Sequence, residues 1–177
     1  MKKNIIITLV LVSLVVISRL IPHVWNVTPI VAVALLAGAV LPKKWSWAVP
    51  LIAMLVSDIV IGFYEVGVMS TVYFSFVLVA LMGRWIQNFA PHKIIIASLA
   101  SSTLFFITTN FAVWATADWY PKTWPGLALA YELGLPFFRN MALGDIIYTG
   151  VLFGLWAMTK NYIHNHNLRF FMNGSKV

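Results

Sequence analysis

The sequence predicts an all-α integral membrane protein with six transmembrane helices and both termini in the cytoplasm. Two observations support this prediction. Of the 177 residues, 61% are hydrophobic and 10% are charged, whereas a soluble domain carries roughly 25% charged residues. Basic residues also lie at the ends of apolar runs that approach the length needed to cross a bilayer, about 20 residues. The whole chain, residues 1–177, is predicted to form a single transmembrane domain.

Six apolar runs are predicted to span the bilayer. They cover residues 4–21, 24–41, 46–64, 67–86, 94–116 and 140–162. The second run has a short apolar part, and Thr28-Pro29 suits its N-cap and first turn. The longest connection, residues 117–139, is predicted to lie outside. Its second half is expected to form a short interfacial helix that stops near Gly134 and Pro136.

The basic residues assign a direction to these runs. With the N-terminus in the cytoplasm, nine of the twelve basic residues fall on the cytoplasmic side, namely Lys2, Lys3, Lys43, Lys44, Arg84, Lys93, Lys160, Arg169 and Lys176. Lys122 and Arg139 fall outside, and Arg19 lies within the first run. This distribution satisfies the positive-inside rule at every loop. It explains the net charge of +7 by membrane topology, so nucleic acid is not expected as a partner.

Polar and tyrosine side chains are predicted to share one depth in the outer third of the bilayer. With a rise of about 1.5 Å per residue, Asp58, Asn110 and Tyr73 lie about 9 Å from the outer ends of their runs. Asp145 lies about 7 Å and Arg19 about 4 Å from the outer ends of theirs. Polar groups are costly in lipid, so their concentration at one depth favours a polar cavity or network that opens outward.

Further candidates extend this layer along the helix faces. Trp114 lies four residues beyond Asn110 and shares its face, which Phe106 extends inward. An asparagine between aromatic rings suits a flat, partly polar ligand, over which the outer connection would fold as a lid. Tyr148 continues the layer on the sixth run, and Arg139 is near enough in sequence to neutralise the acid there. The candidate substrate-binding residues are Arg19, Asp58, Tyr73, Phe106, Asn110, Trp114, Arg139, Asp145 and Tyr148.

The same polar layer also has a purely structural interpretation. Arg19 would pair with Asp58 or Asp145 and tie helices together without any ligand. The chain would then be a non-catalytic structural or assembly protein. The small residues Ala34 and Gly38 would mark close helix packing, inside the bundle or against a partner. Both interpretations stay open at this point.

The sequence does not predict an enzyme. It contains no cysteine, which excludes disulfides and thiolate ligands for metals. No nucleophile–base pair, metal-ligand cluster or phosphate-binding glycine loop is recognisable, so neither a cofactor nor a metal is predicted. A small membrane enzyme that uses the two acids is the weakest alternative, because no residue set forms a recognisable catalytic geometry. Energy for uphill transport would have to come from another protein.

The motifs "VPLIAMLVSDIVIGFY", "TNFAVWA…WYP" and "LPFFRNMALGD" resemble an uncharacterised family of small bacterial membrane proteins, over Asn26 to Leu155. That family in turn resembles the substrate-binding S components of energy-coupling factor (ECF) transporters. The resemblance implies an S-component-like bundle of six helices in the bacterial inner membrane, and a vitamin- or cofactor-like small-molecule substrate taken up from outside. The partners it implies are membrane lipid and an ECF-type transmembrane coupling protein with ATPases. The first run lacks the alanine-xxx-alanine docking motif of many S components.

Overall fold

The computed structural model describes residues 2–22, 24–86 and 89–174, excluding the side chains of residues 3 and 163–174. Every regular element in these residues is helical, which confirms the predicted all-α class. The elements are α1 (Lys2–Leu20), α2 (Ile30–Val40), α3 (Lys43–Ser46), α4 (Ala48–Ile61), α5 (Val66–Gly83), a 3-10 turn (Arg84–Ile86), α6 (Pro91–Thr116) and α7 (Trp124–Gly174).

The helices differ in their ability to cross a membrane. Among the described residues, four segments are long and apolar enough to do so, namely Lys43–Ile61, Val66–Ile86, Pro91–Thr116 and Trp124–Tyr162. The two other apolar helices are shorter, Asn4–Leu20 and Ile30–Val40. The 11 residues of α2 rise about 16 Å, roughly half the thickness of a hydrocarbon core. Of the predicted spans, the second therefore has the shortest helix, with 11 residues in α2 against 19 in α1.

The short helix α2 lies at the centre of the bundle. All residues from Ile30 to Gly38 are buried. Helices α1, α4, α5, α6 and α7 all contact it. Its sequence, IVAVALLAGAV, is apolar on every face, as is typical of a helix that is surrounded on all sides. Because protein surrounds α2, its length does not have to match the thickness of a bilayer.

Helices α2 and α5 pack backbone against backbone through two glycines. A Cβ atom added at Gly38 would lie 2.0 Å from the carbonyl oxygen of Ala80. One added at Gly83 would lie 2.2 Å from the carbonyl oxygen of Leu35. Neither position has room for a side chain, so the small-residue pair Ala34 and Gly38 packs inside the bundle.

Contacts between the helices show that they alternate in direction. Arg19 near the end of α1 and Tyr73 in the first half of α5 both reach Asp58, near the end of α4. Ser102 of α6 contacts Asp145 of α7, and Asn110 of α6 lies beside Gly134 of α7, so these two helices are antiparallel. One end of the bundle therefore collects the ends of α1, α4 and α6 and the beginnings of α2, α5 and α7. We refer to it as the polar end.

Glu65 joins the beginning of α5 to the end of α6. Its carboxylate accepts hydrogen bonds from the backbone N–H groups of Gly67 and Val68, at 2.9 and 2.7 Å, and so caps α5. It also accepts one from the hydroxyl of Thr116 at 2.6 Å. The hydrogen bond from Thr116 and, to a smaller extent, those from Gly67 and Val68 hold the pKa of Glu65 below its usual range. Gly62 ends α4 with φ 110°, a conformation that favours glycine.

Helix α7 differs from the sequence prediction at its beginning. The sequence predicts a short interfacial helix in the second half of residues 117–139 that stops near Gly134 and Pro136, but the helix that begins at Trp124 continues through Pro136 into the last predicted span. A Cβ atom added at Gly134 would lie 2.5 Å from Asn110 Oδ1, so this turn packs directly against α6. Tertiary packing therefore outweighs the local preference of glycine and proline to end a helix.

The connection that remains, residues 117–123, is fastened to the end of α6. The indole of Trp114 donates a hydrogen bond to the carbonyl of Pro121 at 2.9 Å. The ammonium of Lys122 donates to the carbonyls of Trp114 and Ala117, which satisfies acceptors left free at a helix C-terminus. The structure shows this segment as a cap on α6, and its role as a lid stays a prediction.

Gly83→Ala is expected to lower the free energy of unfolding by about 1–3 kcal/mol, because the new methyl group must displace the backbone of α2. The matched control is Gly154→Ala on α7, where an added Cβ meets nothing within 4 Å. There, alanine is expected to be neutral or to stabilise by up to about 1 kcal/mol. Chemical denaturation of the purified protein in detergent measures both. Equal stability of the two variants would contradict the backbone contact between α2 and α5.

Candidate functional site

A cavity of about 400 Å³ lies at the polar end of the bundle. Helices α1, α2, α4, α5, α6 and α7 all contribute to its wall. The lining residues are Arg19, Asn26, Thr28, Ile30, Val31, Met54, Ile61, Tyr64, Val72, Phe76, Phe105, Met141 and Asp145. Sites for small organic molecules typically have mostly apolar walls with a few polar groups. The volume of such a site is roughly 300–1,000 Å³.

An ion pair ties α1 to α4 beside this cavity. Nη2 of Arg19 lies 2.7 Å from Oδ1 of Asp58. Nη1 of Arg19 donates to the hydroxyl of Ser57 at 2.5 Å and lies 2.9 Å from the sulfur of Met54. The side chain of Asp58 is 1% exposed, whereas that of Arg19 is 17% exposed and lines the cavity. Arg19 therefore lines the cavity, while the acid that neutralises it does not.

Two tyrosines surround the ion pair. The hydroxyl of Tyr73 donates to Oδ2 of Asp58 at 2.8 Å, whereas Oδ1 is held by the ion pair with Arg19 alone and has no hydrogen-bond partner. Buried charges that are paired and hydrogen-bonded in this way are tolerated in apolar surroundings. Tyr64, in the connection between α4 and α5, lines the cavity. Its phenolic hydroxyl can donate a hydrogen bond at neutral pH.

Asp145 of α7 is the second acid at the cavity. It is 2% exposed and lines the cavity wall. Its Oδ2 accepts a hydrogen bond from the hydroxyl of Ser102 at 2.6 Å. Arg139, which the sequence places near enough to neutralise it, is exposed and forms no ion pair with it. Within the described part of the chain, the salt bridge of Arg19 with Asp58 is the one ion pair, so Asp145 has no basic partner there.

A smaller cavity of about 140 Å³ lies beside the first, between α6 and α7. Phe106 and Asn110 line it, and the amide of Asn110 donates to the carbonyl of Phe106 at 2.8 Å. The ring of Phe106 packs against that of Phe138, with centroids 4.8 Å apart. The two cavities share three lining residues, Asn26, Phe105 and Met141. They are therefore neighbouring parts of one region of the bundle.

The nine candidate residues from the sequence fall into three groups. The first lines or supports the larger cavity and comprises Arg19, Asp58, Tyr73 and Asp145. The second lines the smaller cavity and comprises Phe106 and Asn110. The third lines neither cavity and comprises Trp114, Arg139 and Tyr148. The structure thus brings together most of the predicted polar layer and separates Trp114 from it.

Several residues at the site carry little signal in the sequence. Ser102 lies outside the outer third of the fifth predicted span, so its position does not suggest a role in the polar layer, yet it donates to Asp145. Tyr64 lies at the end of a predicted span, and no pattern distinguishes it. Asn26 lines both cavities with a left-handed backbone, φ 60°. This conformation is uncommon outside glycine, is most frequent at Asn and Asp, and often occurs at functional sites.

Comparison with known proteins places this arrangement in one family. A family model matches residues 1–166, which include every residue of both cavities. The chain belongs to DUF6580, a family of unknown function. No curated protein and no solved structure matches this DUF6580 chain. None of these comparisons links DUF6580 to the S components of ECF transporters.

Asp58→Ala is expected to lower the free energy of unfolding by about 3–5 kcal/mol, because it leaves the guanidinium of Arg19 without its counter-charge. Replacing both partners, Arg19→Met with Asp58→Leu, is expected to recover most of this loss. Asp118→Ala is the control, since it removes an exposed carboxylate and should change stability by less than about 0.5 kcal/mol. Chemical denaturation measures all three. A double variant no more stable than Asp58→Ala would argue against the ion pair.

Proposed function

We propose that this DUF6580 protein is a substrate-binding membrane transport protein that captures a small, vitamin- or cofactor-like solute from outside. The cavity of about 400 Å³ carries the proposal. It combines apolar walls with an ion pair and a further acid at one end of the bundle. Ionisable residues inside membrane segments are costly, and they most often mark substrate or ion pathways.

In this function, six helices cross the bacterial inner membrane, with both termini in the cytoplasm and the polar end outward. The alternating direction of the helices supports this arrangement. Lys43 and Lys44 of α3 and Lys93 near the beginning of α6 lie at the end opposite the cavity, where the positive-inside rule expects the cytoplasm. The short helix α2 would cross inside a shell of other helices and would not face lipid.

The solute would reach the cavity through the outer face, and another protein would supply the energy for uptake. The sequence contains no phosphate-binding glycine loop, so the chain itself is not expected to hydrolyse a nucleotide. By analogy with S components, in length, helix number and topology, the partner would be a transmembrane coupling protein with ATPases. This analogy gives the class of partner and does not identify the solute.

A structural role is the second candidate function, and the closed network of Arg19, Asp58 and Tyr73 favours it. The guanidinium of Arg19 is paired with Oδ1 of Asp58 and donates to Ser57, while Oδ2 of Asp58 accepts a hydrogen bond from Tyr73. Such a network ties α1, α4 and α5 together without any ligand. In this function the protein would be a membrane assembly factor, and no solute would accompany it through purification.

Single cysteines test the topology, because the chain has none of its own. Asp118→Cys, at the polar end, is expected to react in intact cells with a charged maleimide that does not cross the membrane. Lys44→Cys, at the opposite end, is expected to react only after the cells are permeabilised. Both positions are exposed, so reactivity reports their side of the membrane. The reverse pattern would place the cavity on the cytoplasmic side and overturn capture from outside.

Val72→Trp is expected to abolish solute capture, because Val72 is buried in the cavity wall and an indole there would occupy the space. The matched control is Val151→Trp, the same change at an exposed position of α7. Capture is measured by mass spectrometry of small molecules released from purified, folded protein. The expected compound is enriched with the wild type and Val151→Trp and is lost from Val72→Trp.

Two results would contradict solute capture. The first is a compound present in equal amounts in the wild type and both variants, since it would not occupy the cavity. The second is the recovery of lipid alone from all three proteins. Either result would favour the structural role. Thermal melting of each variant establishes that the loss of a compound does not reflect loss of the fold.

A further inference from the structure

The charges around the larger cavity do not balance. Two charged residues line it, Arg19 and Asp145. Arg19 is already paired with Asp58, at 2.7 Å. Asp145 accepts a hydrogen bond from Ser102, and no basic side chain in the described residues forms an ion pair with it. With all three groups ionised, Arg19, Asp58 and Asp145 together carry one excess negative charge, which lies on Asp145.

The environment of Asp145 makes this excess costly. Asp145 is only 2% exposed. One turn further along α7, Thr149 is 1% exposed, and its hydroxyl has no hydrogen-bond partner. The same holds for Ser98, one turn before Ser102 on α6. These neighbours offer dipoles but no positive charge, whereas a buried carboxylate is stable when an opposite charge accompanies it.

We propose that the captured solute is a small organic cation whose positive group pairs with Asp145. This inference rests on the proposed function and specifies its substrate class. A cation in the cavity supplies the charge that the protein lacks. The rings of Phe76 and Phe105, with centroids 5.0 Å apart, and of Tyr64 also line the cavity, and aromatic faces attract cations. An ammonium- or pyridinium-type group on an apolar body meets both conditions.

Other solute classes fit the cavity less well. An anion would need Arg19, whose guanidinium is engaged with Asp58, Ser57 and Met54. A neutral solute would leave Asp145 either ionised without a counter-charge or protonated, and would make no use of a charge at this position. A bare metal ion would use little of a cavity of about 400 Å³. In the part of the chain that the structure describes, no three His, Cys, Asp or Glu residues group to hold such an ion.

Three probes of similar shape test the charge preference. They are 2-phenylethylammonium, 2-phenylethanol and 3-phenylpropionate, each titrated calorimetrically into the full-length protein in detergent. The ammonium probe is expected to bind the wild type on the order of thirtyfold more tightly than the other two. Asp145→Asn is expected to weaken its binding by a similar factor. The control Asp118→Asn removes an exposed acid and is expected to leave the affinity unchanged.

Each alternative predicts a different result. Equal affinity for the three probes, a preference for the carboxylate, or no binding of any probe would overturn the cation assignment. A competition with sodium ions gives a further test, in which sodium chloride replaces lithium chloride at constant ionic strength. Displacement of the ammonium probe from the wild type by sodium would also overturn the assignment to an organic cation. If Asp145→Asn does not fold, the ranking of the probes on the wild type still decides.

Failure of this inference can be told apart from failure of the proposed function. A neutral or anionic compound that accompanies the wild type and is lost from Val72→Trp would refute the organic cation and support solute capture. Recovery of lipid alone would contradict solute capture itself. An ammonium probe that binds the wild type but not folded Val72→Trp would place the cation in the larger cavity.

Discussion

The backbone contact between α2 and α5 is the constraint on which the rest of the structure depends. Gly38 and Gly83 allow the two helices to approach so closely that a Cβ atom at either position would collide with the opposite backbone. This approach holds a helix of 11 residues at the centre of the bundle, with its residues from Ile30 to Gly38 buried. Longer helices can then surround α2 on every side, and the buried, entirely apolar sequence needs no contact with lipid or water.

The cavity follows from the shortness of this central helix. Its first residues, Ile30 and Val31, form part of the cavity wall, and the helices around it supply the remainder. Above α2, the interior is therefore not filled by a central element. Polar groups occupy this space in two arrangements, a closed network around Asp58 and a single buried acid, Asp145. The first arrangement connects α1, α4 and α5, whereas the second has no basic partner among the described residues.

The connections at the polar end are held in place by different kinds of interaction. Glu65 and Lys122 fix the connections around α5 and α6 through hydrogen bonds to backbone groups. In the connection between α1 and α2, Asn26 has a left-handed backbone and lines both cavities. A local conformation of this kind costs about 1–3 kcal/mol and persists where the surroundings impose it. The residues around Asn26 therefore hold it in a locally unfavourable conformation.

The sequence by itself determined the all-helical class, the apolar segments and the depth shared by Arg19, Asp58 and Asp145, because hydropathy and helical rise are local properties. The pairing of Arg19 with Asp58, and not with Asp145, required the tertiary structure, since both acids are at suitable depth. So did the continuation of α7 through Gly134 and Pro136, which packing on α6 imposes against local preference. Ser102 joined the site for the same reason: the register between two antiparallel helices decides which side chains meet, and no single segment encodes that register.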